Sequence, residues 1–136
     1  MRLEKIIDDL IKLKSSKIKT KNYIKKLWKN DTIEELLLLI DFNINIDNTN
    51  LHIPVFEDAE DNASIIKFND FYVLINILKN TIDIKDKEKL IEDFALECNE
   101  IIWNKIYQVV LKKELSSIIN LEEIVETLKS LTENTK

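Results

Sequence analysis

The sequence predicts an all-α protein, an irregular bundle of about seven helices. Apolar residues recur at the three- and four-residue steps of a helix face through most of the 136-residue chain. Several of these segments open with a residue type that caps helix N-termini. Sustained heptads and 20–50-residue repeats are both missing from the pattern, so neither a long coiled coil nor a repeat array is expected.

Three helices are predicted in the N-terminal third. An apolar face along the first dozen residues indicates the first helix, which ends at a polar break over residues 14–17. Thr20 is predicted to cap a second, short helix. Asp31 and Glu34 match a capping box at the start of the third helix. The apolar run over residues 36–40 predicts that this third helix is largely buried.

A long acidic loop is predicted over residues 43–66. It contains the single proline, Pro54, and the acidic run Glu57–Asp61. A short extended pair is expected around Ile44–Ile46 and Leu51–Val55. The acidic run lacks the ligand spacing and the glycine of a calcium loop, so we interpret it as a solvated loop and expect no metal ion or cofactor.

The remaining chain predicts four further helices. Their predicted caps or first residues are, in chain order, Asn69, Asp86, Asn99 and Asn120. Residues 1–131 are assigned to a single helical domain, and residues 132–136 to a frayed polar tail.

Composition excludes several classes of active site. Glycine is absent, which excludes the loops that cradle phosphates with backbone amides. A single cysteine, Cys98, and a single histidine, His52, exclude a Cys/His zinc site and a disulfide framework. We expect Cys98 to be a small buried apolar residue, His52 to be an exposed loop residue, and Trp28 and Trp103 to pack in the core. Because no catalytic set emerges, the chain is not expected to be an enzyme.

Positive charge is concentrated at the N-terminus. Residues 1–30 hold ten basic and three acidic residues, whereas residues 31–136 hold ten basic and twenty-two acidic ones. Lysines separated by hydroxyl groups can neutralise and hydrogen-bond phosphates. The predicted nucleic-acid-binding residues form two groups: Lys12, Lys14, Ser15, Ser16, Lys17, Lys19 and Lys21, and then Lys112, Lys113, Ser116 and Ser117. A lysine-rich surface also follows from an AT-rich genome without any selection for binding, so a merely solvated surface remains open.

Neither a signal peptide nor a transmembrane segment is predicted. The N-terminal residues carry charges among the apolar positions, and the longest apolar run, Leu36–Ile40, is far shorter than the ~20 residues a membrane span needs. We therefore expect a cytoplasmic protein, or one in the host cytoplasm if it is viral, with no membrane contact. The residue bias favours a phage or another AT-rich microbial source.

The order of motifs resembles a known family over roughly residues 3–125. A Ser/Lys break is followed by the helix Tyr23–Asn30, the apolar helix Glu35–Phe42, a turn ending in Pro54, and a basic helix end at residues 109–115. This order is similar to that of the N-terminal helical DNA-binding domain of phage-type ATP-dependent DNA ligases. The resemblance implies a helical domain that grips duplex DNA through its phosphates without base readout.

Two departures from that family are visible. The catalytic K-x-D-G motif is absent, so the chain is not a ligase by itself. The glycine that normally follows the basic helix end is replaced by Ser116-Ser117. Two functions are therefore carried forward: a non-catalytic double-stranded DNA-binding protein, and an acidic protein-protein interaction module of a phage or mobile element that contacts a host or phage protein.

Overall fold

The computed structural model describes residues 2–29, 33–45, 51–64 and 66–134; the regular elements in these ranges are all helices, and none is a strand. The predicted all-α class is confirmed. The seven helices of the described ranges are α1 (Arg2–Lys12), α2 (Lys17–Lys29), α3 (Glu34–Asn45), α4 (Phe68–Lys79), α5 (Ile84–Glu97), α6 (residues 100–111) and α7 (Leu121–Asn134).

Helix α6 is irregular in its middle. It starts as an α-helix at Glu100–Ile102, widens into a π-helical turn over Trp103–Tyr107 and closes as an α-helix at Gln108–Leu111. A short 3-10 turn, Leu115–Ser117, then leads toward α7. None of the helices in the described ranges is long and apolar enough to cross a membrane.

Helix caps were predicted correctly where a local side chain suffices. The Asn99 side chain accepts from two amides at the start of α6, and the Asn120 side chain accepts from Glu123 N at 3.3 Å.

Thr20 was predicted wrongly, because α2 begins three residues earlier and Ser16 Oγ accepts from Lys19 N at 3.2 Å. Asn69 also lies inside its helix; α4 begins at Phe68, and the Asp70 carboxylate accepts from Lys67 N. Helix α5 likewise begins before Asp86, with Asp83 as its cap.

The long loop begins later than predicted. Helix α3 continues to Asn45, whose side-chain amide donates to Asp41 at 2.7 Å, so Ile44 is helical. The extended pair is therefore wrong at Ile44, and Leu51–Val55 forms no strand. Ile46 and Asp31 lie outside the described residues. At the C-terminus, α7 runs to Asn134, past the predicted start of the polar tail at residue 132.

The chain divides into two compact units. Unit 1 comprises Met1–Ile40 with Glu114–Lys136, and unit 2 comprises Asp41–Lys113. Helices α2 and α7 pack together in unit 1, around a core of buried aliphatic side chains that includes Leu3, Ile7, Leu10, Ile24, Leu36, Leu39, Leu115, Ile119 and Ile124. The single-domain assignment of residues 1–131 stays a prediction.

The core of unit 2 contains an aromatic cluster among buried aliphatic residues. The Phe71 and Tyr107 rings lie 4.5 Å apart, and Phe94 contacts both Tyr107 and Trp103 at 5.7 and 6.1 Å between ring centroids. Cys98 is buried in this unit, and burial raises the pKa of its thiol to about 11. A buried neutral thiol is the small apolar residue that was predicted. Trp103 is fully buried as expected.

Candidate nucleic-acid interface

Helix α2 has one buried side and one lysine-covered side. Thr20, Ile24 and Leu27 are buried, which places the opposite side of this amphipathic helix in solvent. That exposed side carries five lysines, which we call the lysine face: Lys19, Lys21, Lys25, Lys26 and Lys29. The helix therefore gathers on one surface lysines that are spread over eleven positions of sequence.

Two side-chain hydrogen bonds hold the buried side of α2 against α1. The Thr20 hydroxyl donates to the Leu13 carbonyl at 2.9 Å, and the Tyr23 hydroxyl donates to the Asp9 carboxylate at 2.8 Å. Burial, reinforced by Asp9, raises the pKa of Tyr23 above its ordinary value, so this hydroxyl keeps its proton. The direction of the lysine face is thereby fixed within unit 1.

The turn before α2 meets the turn before α7. The Lys14 ammonium donates to the Ser117 carbonyl at 2.5 Å, and the Asn120 side chain donates to the Lys14 carbonyl at 3.5 Å. These bonds join residues more than a hundred positions apart in sequence. They bring Ser116 and Ser117 of the second predicted group beside Lys14 of the first.

Three of the predicted ligands hold this turn together. Ser117 Oγ donates its one proton to the Glu114 carbonyl at 2.6 Å, Ser16 Oγ caps α2, and the Lys14 ammonium is engaged as above. We therefore assign Lys14, Ser16 and Ser117 a structural role in this turn. The remaining members of the predicted groups in unit 1, apart from the lysine face, are all exposed: Lys12, Ser15, Lys17 and Ser116.

Lys112 and Lys113 belong to unit 2. In the amide orientation that satisfies both groups, the Gln108 side-chain oxygen lies 2.8 Å from the Lys112 ammonium. Lys113 is exposed, with a left-handed φ of 59° just beyond the end of α6. The structure thus places these two lysines in a different unit from the serines with which the sequence grouped them.

The distribution of charge along α2 is electrostatically unfavourable for a helix. Its first turn carries Lys17 and Lys19 and no carboxylate, whereas each other helix of the described ranges has an acidic residue there. Lysines near an N-terminus repel the positive end of the helix dipole. Lys21, Lys25 and Lys29 are also like charges at four-residue spacing, which destabilises a helix by a few tenths of a kcal/mol per pair. A bound polyanion would relieve both conflicts.

Lys25, Lys26 and Lys29 were missing from the predicted binding residues. The signal that could have found two of them is the four-residue spacing that continues from Lys21. His52 is exposed, as predicted, and Trp28 is half-buried. In the part of the chain that the structure describes, no three His, Cys, Asp or Glu side chains are grouped to hold a metal ion.

The resemblance to the DNA-ligase domain rests on motif order alone. Comparison of the chain with protein-family models, with curated proteins and with solved structures finds no match.

Proposed function

We propose that this chain is a non-catalytic protein that binds double-stranded DNA through its phosphates. The lysine face is the principal contact, and the exposed Lys12 at the end of α1 and Lys17 at the start of α2 extend it. The observation that carries this proposal is the alignment of five exposed lysines opposite the buried side of α2. Such a surface neutralises phosphates without reading base edges.

The spacing of the lysines suits a phosphate backbone. Lys21, Lys25 and Lys29 form a row about 12 Å long, since each four-residue step rises about 6 Å along the helix. That length corresponds to about three to four base-pair steps of one DNA strand. Within the described residues none of these three ammonium groups has a carboxylate within ion-pair distance, so their charge remains available for phosphates.

Fluorescence anisotropy with labelled intact and nicked duplexes tests the proposal. The test variant is Lys21→Gln/Lys25→Gln/Lys29→Gln, and its matched control is Lys85→Gln/Lys87→Gln/Lys89→Gln on α5 of unit 2. Both variants remove three positive charges from the whole chain, so a loss of binding confined to the test variant cannot come from the change in net charge. Circular dichroism verifies that both keep the wild-type helix content.

The expected result is salt-dependent binding that only the test variant loses. If the lysine face neutralises four to five phosphates, the slope of log K against log salt is about −4, and removing three lysines reduces it to about −1. At 100 mM salt we expect a loss of affinity of at least about tenfold. Equal losses in the two variants would reduce the binding to general charge attraction, and no binding at low salt would remove the proposal.

The nicked duplex examines the ligase resemblance separately. Tighter binding to the nick than to the intact duplex would make that resemblance functional. Equal binding would leave a general phosphate-binding surface, which is what the lysine face by itself supports.

A further inference from the structure

Unit 2 contains an open cavity of about 440 Å³ between the loop after residue 51 and helix α5. The loop side is formed by His52, Pro54 and Phe56. The helix side is formed by two carboxylates one turn apart, Glu88 and Glu92, and by the apolar residues Ala95 and Leu96. A volume of this size lies within the range of ligand-binding clefts.

The loop wall of this cavity is held in place by side-chain bonds to its backbone. Trp103 Nε1 donates to the Pro54 carbonyl at 2.9 Å. The Asn104 side chain bonds Phe56 twice, donating to its carbonyl at 2.8 Å and accepting from its amide at 3.0 Å. The Glu88 carboxylate accepts from His52 N at 2.6 Å. A ligand entering this cavity would therefore find a wall that is already ordered.

A second, shallower hollow of about 350 Å³ lies at the end of α5. It is lined by Ala63, Ser64 and Glu97, and it shares Leu96 with the larger cavity. Ser64 Oγ donates to the Glu97 carbonyl at 3.0 Å, which ties this part of the loop to the end of α5. Leu96 is 66% exposed. We call the larger cavity, with Leu96 at its edge, the α5 groove.

The α5 groove combines carboxylates with apolar surface. Glu88 and Glu92 lie one turn apart on the same side of α5, next to Ala95 and Leu96. Unit 2 as a whole carries fourteen acidic and eight basic residues. The half-buried Phe56 adds an aromatic ring on the opposite wall. A cation with an apolar stem suits this combination, because carboxylates pair with its head while apolar and aromatic surfaces cover the stem.

We propose that the α5 groove binds an arginine-bearing basic segment of a partner protein in an extended conformation. A guanidinium fits better than an ammonium, because it pairs with carboxylates bidentately and stacks on an aromatic ring. A peptide is favoured over a small cation because Leu96, 66% exposed at the edge of the groove, offers apolar surface to the residues beside the arginine. This site is additional to the proposed DNA contact, and it gives the acidic-module hypothesis a specific surface.

The probe follows from the spacing of the two carboxylates in the groove. Glu88 and Glu92 are about 6 Å apart along the helix axis, since each residue rises about 1.5 Å. Arginines two positions apart in an extended chain lie on the same face and are separated by roughly 7 Å. The probe is an acetylated, amidated five-residue peptide with arginine at its second and fourth positions, leucine between them and alanine at both ends. Its control replaces both arginines with neutral, nearly isosteric citrulline.

Binding is measured by NMR titration of the full ¹⁵N-labelled chain. The test variant is Glu88→Gln/Glu92→Gln; glutamine retains an oxygen that can accept from His52 N, so the loop wall keeps its bond. Its matched control is Glu122→Gln/Glu126→Gln, an exposed pair with the same four-residue spacing on α7 of unit 1. Leu96→Ser is a third variant; its wild-type side chain is so exposed that the substitution leaves the fold intact.

We expect the arginine peptide to shift resonances of the loop and α5, and the citrulline peptide to bind at least tenfold more weakly. The test variant and Leu96→Ser should each weaken binding at least about fivefold, and the control pair by less than twofold. Equal weakening in both glutamine pairs, or no binding of the peptide, would overturn the proposal.

Spermidine binding with the same dependence on Glu88 and Glu92 but without peptide binding would overturn it in favour of a small organic cation. The lysine-face variant should bind the peptide normally, which separates this test from that of the DNA proposal.

Discussion

The two compact units differ in charge and in buried aromatic content. Unit 1 has a core of aliphatic residues and nearly balanced charge, with twelve basic and eleven acidic residues. Unit 2 buries an aromatic cluster among aliphatic residues and has a net charge of −6. In unit 1 the positive charge is further concentrated on one side of α2. This separation of charge is why we propose a polyanion as the ligand of one unit and a basic peptide as the ligand of the other.

The units also differ in how their non-helical segments are held. In the described part of unit 1, Lys14, Thr20 and Asn120 of the segments before and within α2 and before α7 each bond a backbone carbonyl or cap a helix. In unit 2 a long irregular segment depends on side chains of α6, chiefly Trp103 and Asn104. A loop without its own secondary structure leaves its amides and carbonyls unsatisfied unless side chains bond them. This difference predicts where a single substitution has its largest effect.

The largest effect is expected from Asn104→Ala. It removes both bonds to Phe56 and leaves an amide and a carbonyl of the loop without their partner, which we expect to cost about 2 to 3 kcal/mol of unfolding free energy. Urea unfolding followed by circular dichroism measures the change. Asn76→Ala, at an exposed position of α4, is the control and should change stability by less than about 0.5 kcal/mol.

The two tryptophans extend this experiment to the single-domain prediction. Trp28 lies in unit 1 and Trp103 in unit 2, so Trp28→Phe leaves a fluorescence signal from unit 2 alone. Helix α3 crosses the boundary between the units without a break, and we therefore expect Trp103 fluorescence and circular dichroism to report the same midpoint. Two separate transitions, with only one displaced by Asn104→Ala, would contradict the assignment of residues 1–131 to one domain.

Local patterns were sufficient to predict the helices but not what fixes their connections. Asn99 and Asn120 were identified as caps because the bonds they make lie within three residues. Thr20 was misassigned because its hydroxyl bonds Leu13 across a turn, which no local pattern reveals. Continuation of α3 through Asn45 was missed because residues with low helix propensity there are outweighed by packing, as the buried Asn43 shows.

The candidate sites were predictable to different degrees. The lysine face follows from the spacing of Lys21, Lys25 and Lys29 once α2 is recognised as a helix. The structural roles of Lys14 and Ser117 could not be predicted from the sequence, since the two residues in contact are more than a hundred positions apart. The α5 groove was also hidden, because the Asn104 and Phe56 that order its wall are 48 positions apart.

A pH-dependent difference between the units follows from Cys98 and Tyr23. The folded state keeps the Cys98 proton up to a pKa of about 11, whereas an exposed thiol loses it near 9, so this stabilisation is complete below pH 9 and is lost as pH rises toward 11. The pKa of Tyr23 is also raised, from an ordinary value near 10, so its contribution in unit 1 begins to fall only above pH 10.

Urea midpoints measured between pH 8 and 11 under reducing conditions separate the two groups. Cys98→Ala should flatten the loss of stability between pH 9 and 10, and Tyr23→Phe should change the profile only above pH 10. Slopes are compared rather than absolute stabilities, because each substitution also changes packing or removes a hydrogen bond. An unchanged slope in Cys98→Ala would contradict the burial of a neutral thiol in unit 2.

The smallest effect is expected at Lys113, the last residue of unit 2. Its φ of 59° is left-handed, a conformation that disfavours side chains with a Cβ and that glycine adopts freely at helix C-termini. Lys113→Gly should therefore stabilise the chain by about 0.5 to 1 kcal/mol, the relief of strain less the entropy that glycine adds to the unfolded state. Lys112→Gly is the matched control: Lys112 has helical φ and ψ, so glycine there should destabilise by about 0.5 to 1 kcal/mol.

Each glycine substitution removes one positive charge, so a change in DNA affinity that is the same in both variants is due to charge. A thermal midpoint that rises in one variant and falls in the other is due to backbone conformation. Destabilisation by both would show that Lys113 contributes a contact worth more than its backbone strain. Ser116 and Ser117 have no positive φ. The left-handed residue of this segment is Lys113, so a glycine placed there supplies backbone freedom without altering the turn that Lys14 and Ser117 hold together.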